Sequence, residues 1–315
     1  MQLITVDDIT DARERLAGIA VRTPLLSVPE NSRNRLWIKP ENLQPVGAFK
    51  IRGALNAIGK LPEPVRQRGV VAWSSGNHAQ AVAYVAREFG IPATIVVPDS
   101  TPRIKIESTR ALGGTVVEVP MAERESRAYQ LVSELGATPI PPFDHPDVIA
   151  GQGTVGLEIA EQLPDVDVVL IPVSGGGLAS GIGTAVRARC PRARIYGVEP
   201  ELAADAAASL RAGELIRWAP EDRARTIADG LRAEPSELTF AHLRSVLDGM
   251  LTVTEEEIRA ALKLLIERTR TIVEPSGAVA AAACLFHGAE LPTGQTVAVA
   301  SGGNIDSGLL REILD

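Results

Sequence analysis

An α/β fold of two domains, each a mainly parallel twisted sheet flanked by helices, is predicted by three observations. Apolar β-branched runs alternate with helical patterns along most of the chain, which is the pattern of βαβ units. Hydrophobic residues make up 45% of the chain but aromatic ones only 3%, so the core is built mainly from Ala, Val, Leu and Ile, as in a covered parallel sheet. Three polar, glycine-bearing loops directly follow strand-like runs. The 315 residues suffice for one large or two modest α/β domains.

Taken in order, Val70–Trp73 reads as a strand and Ala79–Phe89 as a helix. Ala93–Val97 and Arg103–Leu112 form the next such pair, and Thr115–Val119 and Ala122–Leu135 the third. Val166–Val173 is an apolar run, broken only at Asp167, that leads through Gly175-Gly176-Gly177 into a helix over Leu178–Arg189. Arg194–Val198 and Thr296–Ala300 read as further buried strands. The compact middle units predict a small domain over 66–146, with a larger one assembled from 1–65 and 147–315. No repeat of fixed period is present.

Net charge is −7. An acidic surface does not attract nucleic acid or anionic membranes, and both are set aside as partners. The longest apolar run, Gly277–Phe286, is too short to span a bilayer. Met1–Asp11 carries acids and lacks the basic-then-apolar order of a secretory leader, so a cytoplasmic protein is expected. Cys190 and Cys284 make no disulfide framework, and no zinc-like Cys/His spacing occurs.

Lys50 follows small residues and one aromatic ring in Pro45-Val-Gly-Ala-Phe-Lys50-Ile-Arg-Gly-Ala54. A partly desolvated amine loses charge readily and becomes a nucleophile and base that can hold a carbonyl cofactor as a Schiff base. An ordinary lysine at a helix start would instead lay its stem on the surface. Ser174-Gly-Gly-Gly-Leu178 follows a buried strand and opens a helix, where free N–H groups and the dipole suit a phosphate. No Gly-Lys-Ser/Thr follows it, and the dinucleotide fingerprint is absent. Ser74-Ser-Gly-Asn-His78 and Ser301-Gly-Gly-Asn304 also follow strands. Each loop alone fits an ordinary turn; the three together, with Lys50, predict one crevice at the carboxyl ends of parallel strands.

Together with Lys39-Pro-Glu41, Gly151-Gln-Gly-Thr154 and Glu274-Pro-Ser-Gly277, these segments resemble the serine/threonine dehydratase and serine racemase family. Its members are pyridoxal-phosphate (PLP) enzymes of the tryptophan-synthase-β fold (fold type II). The matches run in order over nearly the whole chain. Val46 and Ala48 stand where many members carry Thr and Ser. The resemblance implies that Lys50 holds PLP covalently and that Ser174, Gly175, Gly176, Gly177 and Leu178 bind its phosphate. Asn77 would bond the pyridine 3′-oxygen and Ser301 would face the ring nitrogen. Phe49 and Gly230 would lie against the ring, with Glu274 nearby. Ser74, Ser75, Gly76, Asn77 and His78 would receive a substrate carboxylate.

Glu199, the Ala203 carbonyl and Asp205 offer hard oxygen ligands around a turn. Spacing alone fits solvated acids equally; the resemblance implies Mg²⁺ or Ca²⁺ there. Asp229 reads as a buried structural carboxylate, His145 as a surface turn residue or a substrate neighbour, and His242 and His287 as structural. The expected activity is dehydration and deamination of a β-hydroxy amino acid, L-threonine and/or L-serine, to a 2-keto acid and ammonia. Serine racemase, in which Ser75 reprotonates Cα opposite Lys50, and a hydroxyaspartate dehydratase are the enzymatic alternatives. A PLP-free binding protein on the same scaffold is the alternative from another class. The resemblance further implies a homodimer, and no isoleucine feedback, since nothing like a regulatory domain follows the Ser301 loop.

Overall fold

The computed structural model describes residues 2–28 and 35–315. Among these, ten strands occur: β1 Leu26–Ser27, β2 Arg35–Pro40, β3 Val70–Trp73, β4 Ala93–Pro98, β5 Thr115–Val119, β6 Thr138–Pro139, β7 Val168–Pro172, β8 Arg194–Pro200, β9 Gly249–Val253 and β10 Gln295–Ala300. They form a six-stranded sheet in the order β1-β2-β10-β7-β8-β9 and a four-stranded sheet in the order β5-β4-β3-β6. Every pairing is parallel except that of the short β1 with β2. The expected α/β architecture is therefore observed.

Both sheets are sandwiched by helices, so their central strands are apolar on both faces: β3 and β7 are buried at every residue. The helix Pro275–Phe286 lies on the large sheet through Ala278, Ala280, Ala281 and Ala282. Alanine favours the helix and lets its backbone approach the strands closely.

The helix Lys50–Gly59 places its apolar stripe, Ile51, Ala54, Leu55 and Ile58, into the core shared with Val70, Ala72 and Val82 of the small sheet. The spacing of three, one and three residues is that of one helix face. Each fully buried Ile or Leu there stabilises the packing by about 2 kcal/mol. The chain just before this helix touches the other sheet: Ala48 bridges Gly302, and the Phe49 N–H donates to the Ser301 carbonyl at 3.0 Å. The first turn of the helix thus stands between the two sheets.

A buried ion network fixes that turn. The Arg52 guanidinium donates to both oxygens of Glu41 (2.7 and 2.8 Å) and both of Glu158 (2.6 and 3.0 Å). Lys39 Nζ donates to Glu158 at 2.6 Å and to the Thr23 carbonyl at 2.6 Å. Two cations and two carboxylates neutralise one another, which makes their burial tolerable. Burial alone would push the Glu41 carboxyl up, but Arg52, together with Lys39 and the Thr23 hydroxyl, outweighs it and holds the pKa below the usual range.

Candidate active site

The expected site residues lie largely on the loops that follow β3, β7 and β10, and contacts tie these loops together: Asn77 to Asn304 across the two sheets, and Lys50 through Pro142 and Phe143 to Gly175. After β7, Ser174 leads into the helix Gly177–Arg189, whose N-cap Gly176 has φ +86° and gives no side-chain cap. Only glycine adopts that left-handed backbone without strain. The Ser174 hydroxyl accepts from the Ala233 N–H at 3.0 Å and anchors the loop. A Cβ at Gly175 would overlap the Phe143 ring. The bare backbone leaves the first amides of this helix without side-chain caps, a ready anion seat. Leu178, its second residue, is buried in the core beneath.

The Ser74–His78 loop follows β3 and opens a second uncapped helix, Asn77–Glu88. Ser74, Ser75, Gly76 and Asn77 are half-buried, and the Ser74 hydroxyl accepts from the Gly76 N–H at 3.2 Å. His78 is buried at the core side, its Nε2 2.8 Å from the Ile140 carbonyl. Burial, helped by the Lys50 charge, pushes its pKa down to about 3, so the imidazole is neutral with its proton on Nε2.

Lys50 is half-buried at the start of its helix. Its amine donates to the Pro142 carbonyl at 2.7 Å and lies 5.0 Å from the Phe49 ring centroid. Burial lowers its pKa to about 8. At pH 7 about a tenth is then the free amine, the form that adds to a carbonyl, far more than for an ordinary lysine.

Asn77 donates from Nδ2 to Glu274 at 2.7 Å and accepts on Oδ1 from Asn304 Nδ2 at 2.9 Å. Glu274 is buried; burial first, and then the charge of Asp229, raises its pKa to about 7. Ser301 is buried, its hydroxyl 3.4 Å from the Ser276 carbonyl. The Gly230 N–H donates to Ser276 Oγ at 3.0 Å, which brings Gly230 beside the Ser301 loop. Asp229 is not buried as expected: it begins an exposed turn and pairs with Lys105 of the helix Arg103–Ala111 at 3.0 Å. His145 caps the helix Pro146–Gln162, accepting the Asp147 N–H at 3.2 Å. Pro142 and Asn304 were not singled out from sequence, because a backbone carbonyl or a lone loop amide carries no local signal.

At the end of β8, each Glu199 oxygen accepts a backbone N–H, from Ala206 (3.2 Å) and Ala207 (2.8 Å). Asp205 is buried, and its Oδ2 lacks a hydrogen-bond partner. Burial, then the neighbouring Asp205, raises Glu199 well above the usual range; burial raises Asp205 to about 6. Two desolvated carboxyls with one orphaned oxygen fit a divalent cation. Among the described residues no group of three or more His, Cys, Asp or Glu is arranged to hold a metal, so backbone oxygen would have to complete the set.

A half-buried lysine with a lowered pKa, connected through the Pro142–Phe143 segment to an uncapped glycine-loop helix, has the chemistry that a phosphorylated carbonyl coenzyme needs. Residues 17–302 match the family described as pyridoxal-phosphate dependent enzyme. The chain is 42% identical to an L-threonine ammonia-lyase of Thermotoga maritima, over 99% of this chain and 79% of that protein. It is 39% identical to an L-threo-3-hydroxyaspartate ammonia-lyase of Saccharomyces cerevisiae, over 96% and 94%. The solved structure of maize serine racemase superposes with a TM-score of 0.91 at 38% identity, covering 99% of this chain and 98% of that one. The chain belongs to the pyridoxal-phosphate dependent enzyme family, and its cofactor is PLP.

Proposed function

We propose that the protein is an ammonia-lyase that converts L-threonine and/or L-serine to a 2-keto acid and ammonia. The observation that carries this reading is the half-buried Lys50 amine, with its pKa lowered to about 8, in the crevice onto which the uncapped helix Gly177–Arg189 opens. When bound, PLP supplies an electron sink that acidifies the hydrogen on the amino acid's Cα.

In this reading the amides of Ser174–Leu178 hold the coenzyme phosphate, and Asn77, Ser301, Phe49 and Gly230 frame its ring. Glu274 bears on the ring through Asn77. The amides and hydroxyls of Ser74–His78 orient the substrate carboxylate. Lys50 as a free amine takes the Cα proton. The β-hydroxyl would leave as water with the proton that Lys50 took up, and the enamine left behind would tautomerise to an imine whose hydrolysis gives the 2-keto acid and ammonia. Lys50, again a free amine, would be the residue that holds the coenzyme.

Glu199, Ala203 and Asp205 are proposed to hold Mg²⁺ or Ca²⁺, on the strength of the orphaned Asp205 oxygen. The division into domains over 66–146 and over 1–65 with 147–315 is proposed from the two separate sheets. A homodimer and a cytoplasmic setting complete the reading; no helix among the described residues is long and apolar enough to cross a membrane.

A second reading, serine racemase, draws on half-buried Ser75 in the Ser74–His78 loop and on the likeness to the maize enzyme. Parallel assay of L-serine, L-threonine and 3-hydroxyaspartate for keto-acid release, with chiral analysis of the remaining serine, tests both. Keto acid from threonine or serine supports the lyase. D-serine as the main product reverses the order, and keto acid from hydroxyaspartate alone moves the substrate to the dicarboxylic analogue.

A further inference from the structure

We propose that Asn304 is a positioning residue that fixes which side of the Asn77 amide faces the coenzyme. The inference deepens the PLP reading above and rests on it.

A primary amide has one accepting and one donating end, and a half-turn exchanges them at almost no steric cost. The partners of Asn77 decide between the two states. Asn304 Nδ2 donates to the Val46 carbonyl at 2.8 Å and to Asn77 Oδ1 at 2.9 Å. A backbone carbonyl can only accept, so Val46 fixes the Asn304 nitrogen on that side. Asn304 in turn requires an acceptor from Asn77, which is Oδ1. Asn77 Nδ2 is then directed to the Glu274 carboxyl at 2.7 Å and keeps its second hydrogen free. The flipped Asn77 would set two NH₂ groups against each other and an oxygen against a carboxyl oxygen.

The polarity of the whole relay therefore starts at a group that cannot reverse. It leaves Asn77 as a donor, the role that an anionic ring oxygen needs. The relay also spans the crevice: Asn77 opens a helix packed on the small sheet, and Asn304 follows β10 of the large one. Gly47 makes room for it. Its φ is +71°, and a Cβ there would lie 2.6 Å from Asn304 Oδ1.

The test compares Asn304→Ala with Asn304→Asp, because the two separate orientation from shape. Asn304 is exposed, so either change leaves the core intact. Alanine removes the anchor and lets the Asn77 amide turn freely. Aspartate keeps the shape but offers only acceptors, so it favours the flipped Asn77 and points its oxygen at the coenzyme. PLP affinity of the apo-protein is measured by fluorescence titration, and the pH midpoint of the bound coenzyme's absorbance band is followed in each holoenzyme. The expected loss of affinity is about threefold to tenfold for Ala, the scale of one hydrogen bond, and larger for Asp, with the band midpoint displaced in the same order. An Asp variant equal to wild type, or less impaired than Ala, overturns the assignment. Failure of the PLP reading looks different: the unsubstituted protein itself would not bind PLP.

Discussion

The Lys50 amine donates to the Pro142 carbonyl at 2.7 Å, while the next residue, Phe143, lies against Gly175. One two-residue segment thus connects the lysine to the glycine loop. It leaves the amine held by a neutral acceptor and no carboxylate, so no opposite charge offsets the desolvation that lowers its pKa to about 8.

Coenzyme uptake by the apo-protein should follow that titration. Only the free amine adds to the PLP aldehyde, so the second-order rate of uptake should rise with pH and level off above a midpoint near 8. Stopped-flow absorbance between pH 6 and 10 checks this. A midpoint near the ordinary lysine value would mean that Lys50 is solvated.

Arg52→Met should destabilise the apo-protein by about 3–5 kcal/mol, because Glu41 and Glu158 are left buried against Lys39 alone. Urea denaturation at pH 7.5 measures it. A loss under about 1 kcal/mol would show that water reaches the network.

Glu274→Gln should change the pH dependence of stability. The carboxyl titrates at about 7 in the folded protein, above its ordinary 4.5. Between those values the folded state binds the extra proton, so this contribution is present below about pH 4.5 and is lost as pH rises through about 7. The Gln variant lacks the slope. Relative to wild type it should gain stability from pH 5 to pH 8 in parallel urea titrations; a constant difference would place Glu274 in a solvated setting.

The cation proposed at Glu199 and Asp205 should be expelled by acid. Protonated carboxyls do not coordinate, and Asp205 titrates at about 6. Added Mg²⁺ or Ca²⁺ should raise the melting temperature at pH 8 but not at pH 5, and Asp205→Asn should remove the response at pH 8.

Much of this architecture was legible in the chain. The strands over Val70–Trp73 and Thr115–Val119 have the bounds that their β-branched runs predict; the first is buried at every residue, and the second, at the sheet edge and only half-buried or exposed, is legible from its valines alone. The helix expected from Ala79 begins two residues earlier, at Asn77, since the uncapped turn puts polar loop residues into the helix itself. β2 was not foreseen: Arg35, Lys39 and Pro40 interrupt its pattern, and Lys39 is buried only because Glu158, distant in sequence, neutralises it. β9 was missed because this short edge strand starts with glycine and is half-buried. In the site, Lys50 and the glycine loops announced themselves by local pattern. The Pro142 carbonyl, the Lys105–Asp229 pair and the Asn304 relay exist only once the two sheets face each other.

The central claim, that Lys50 is the residue to which PLP is joined, is tested most directly by borohydride reduction of the holoenzyme followed by peptide mapping. The account predicts one phosphopyridoxyl group, on the peptide containing Lys50, and none on Lys50→Ala. Label on Lys39, Lys60, Lys105 or Lys263, or unchanged label in that variant, would contradict it.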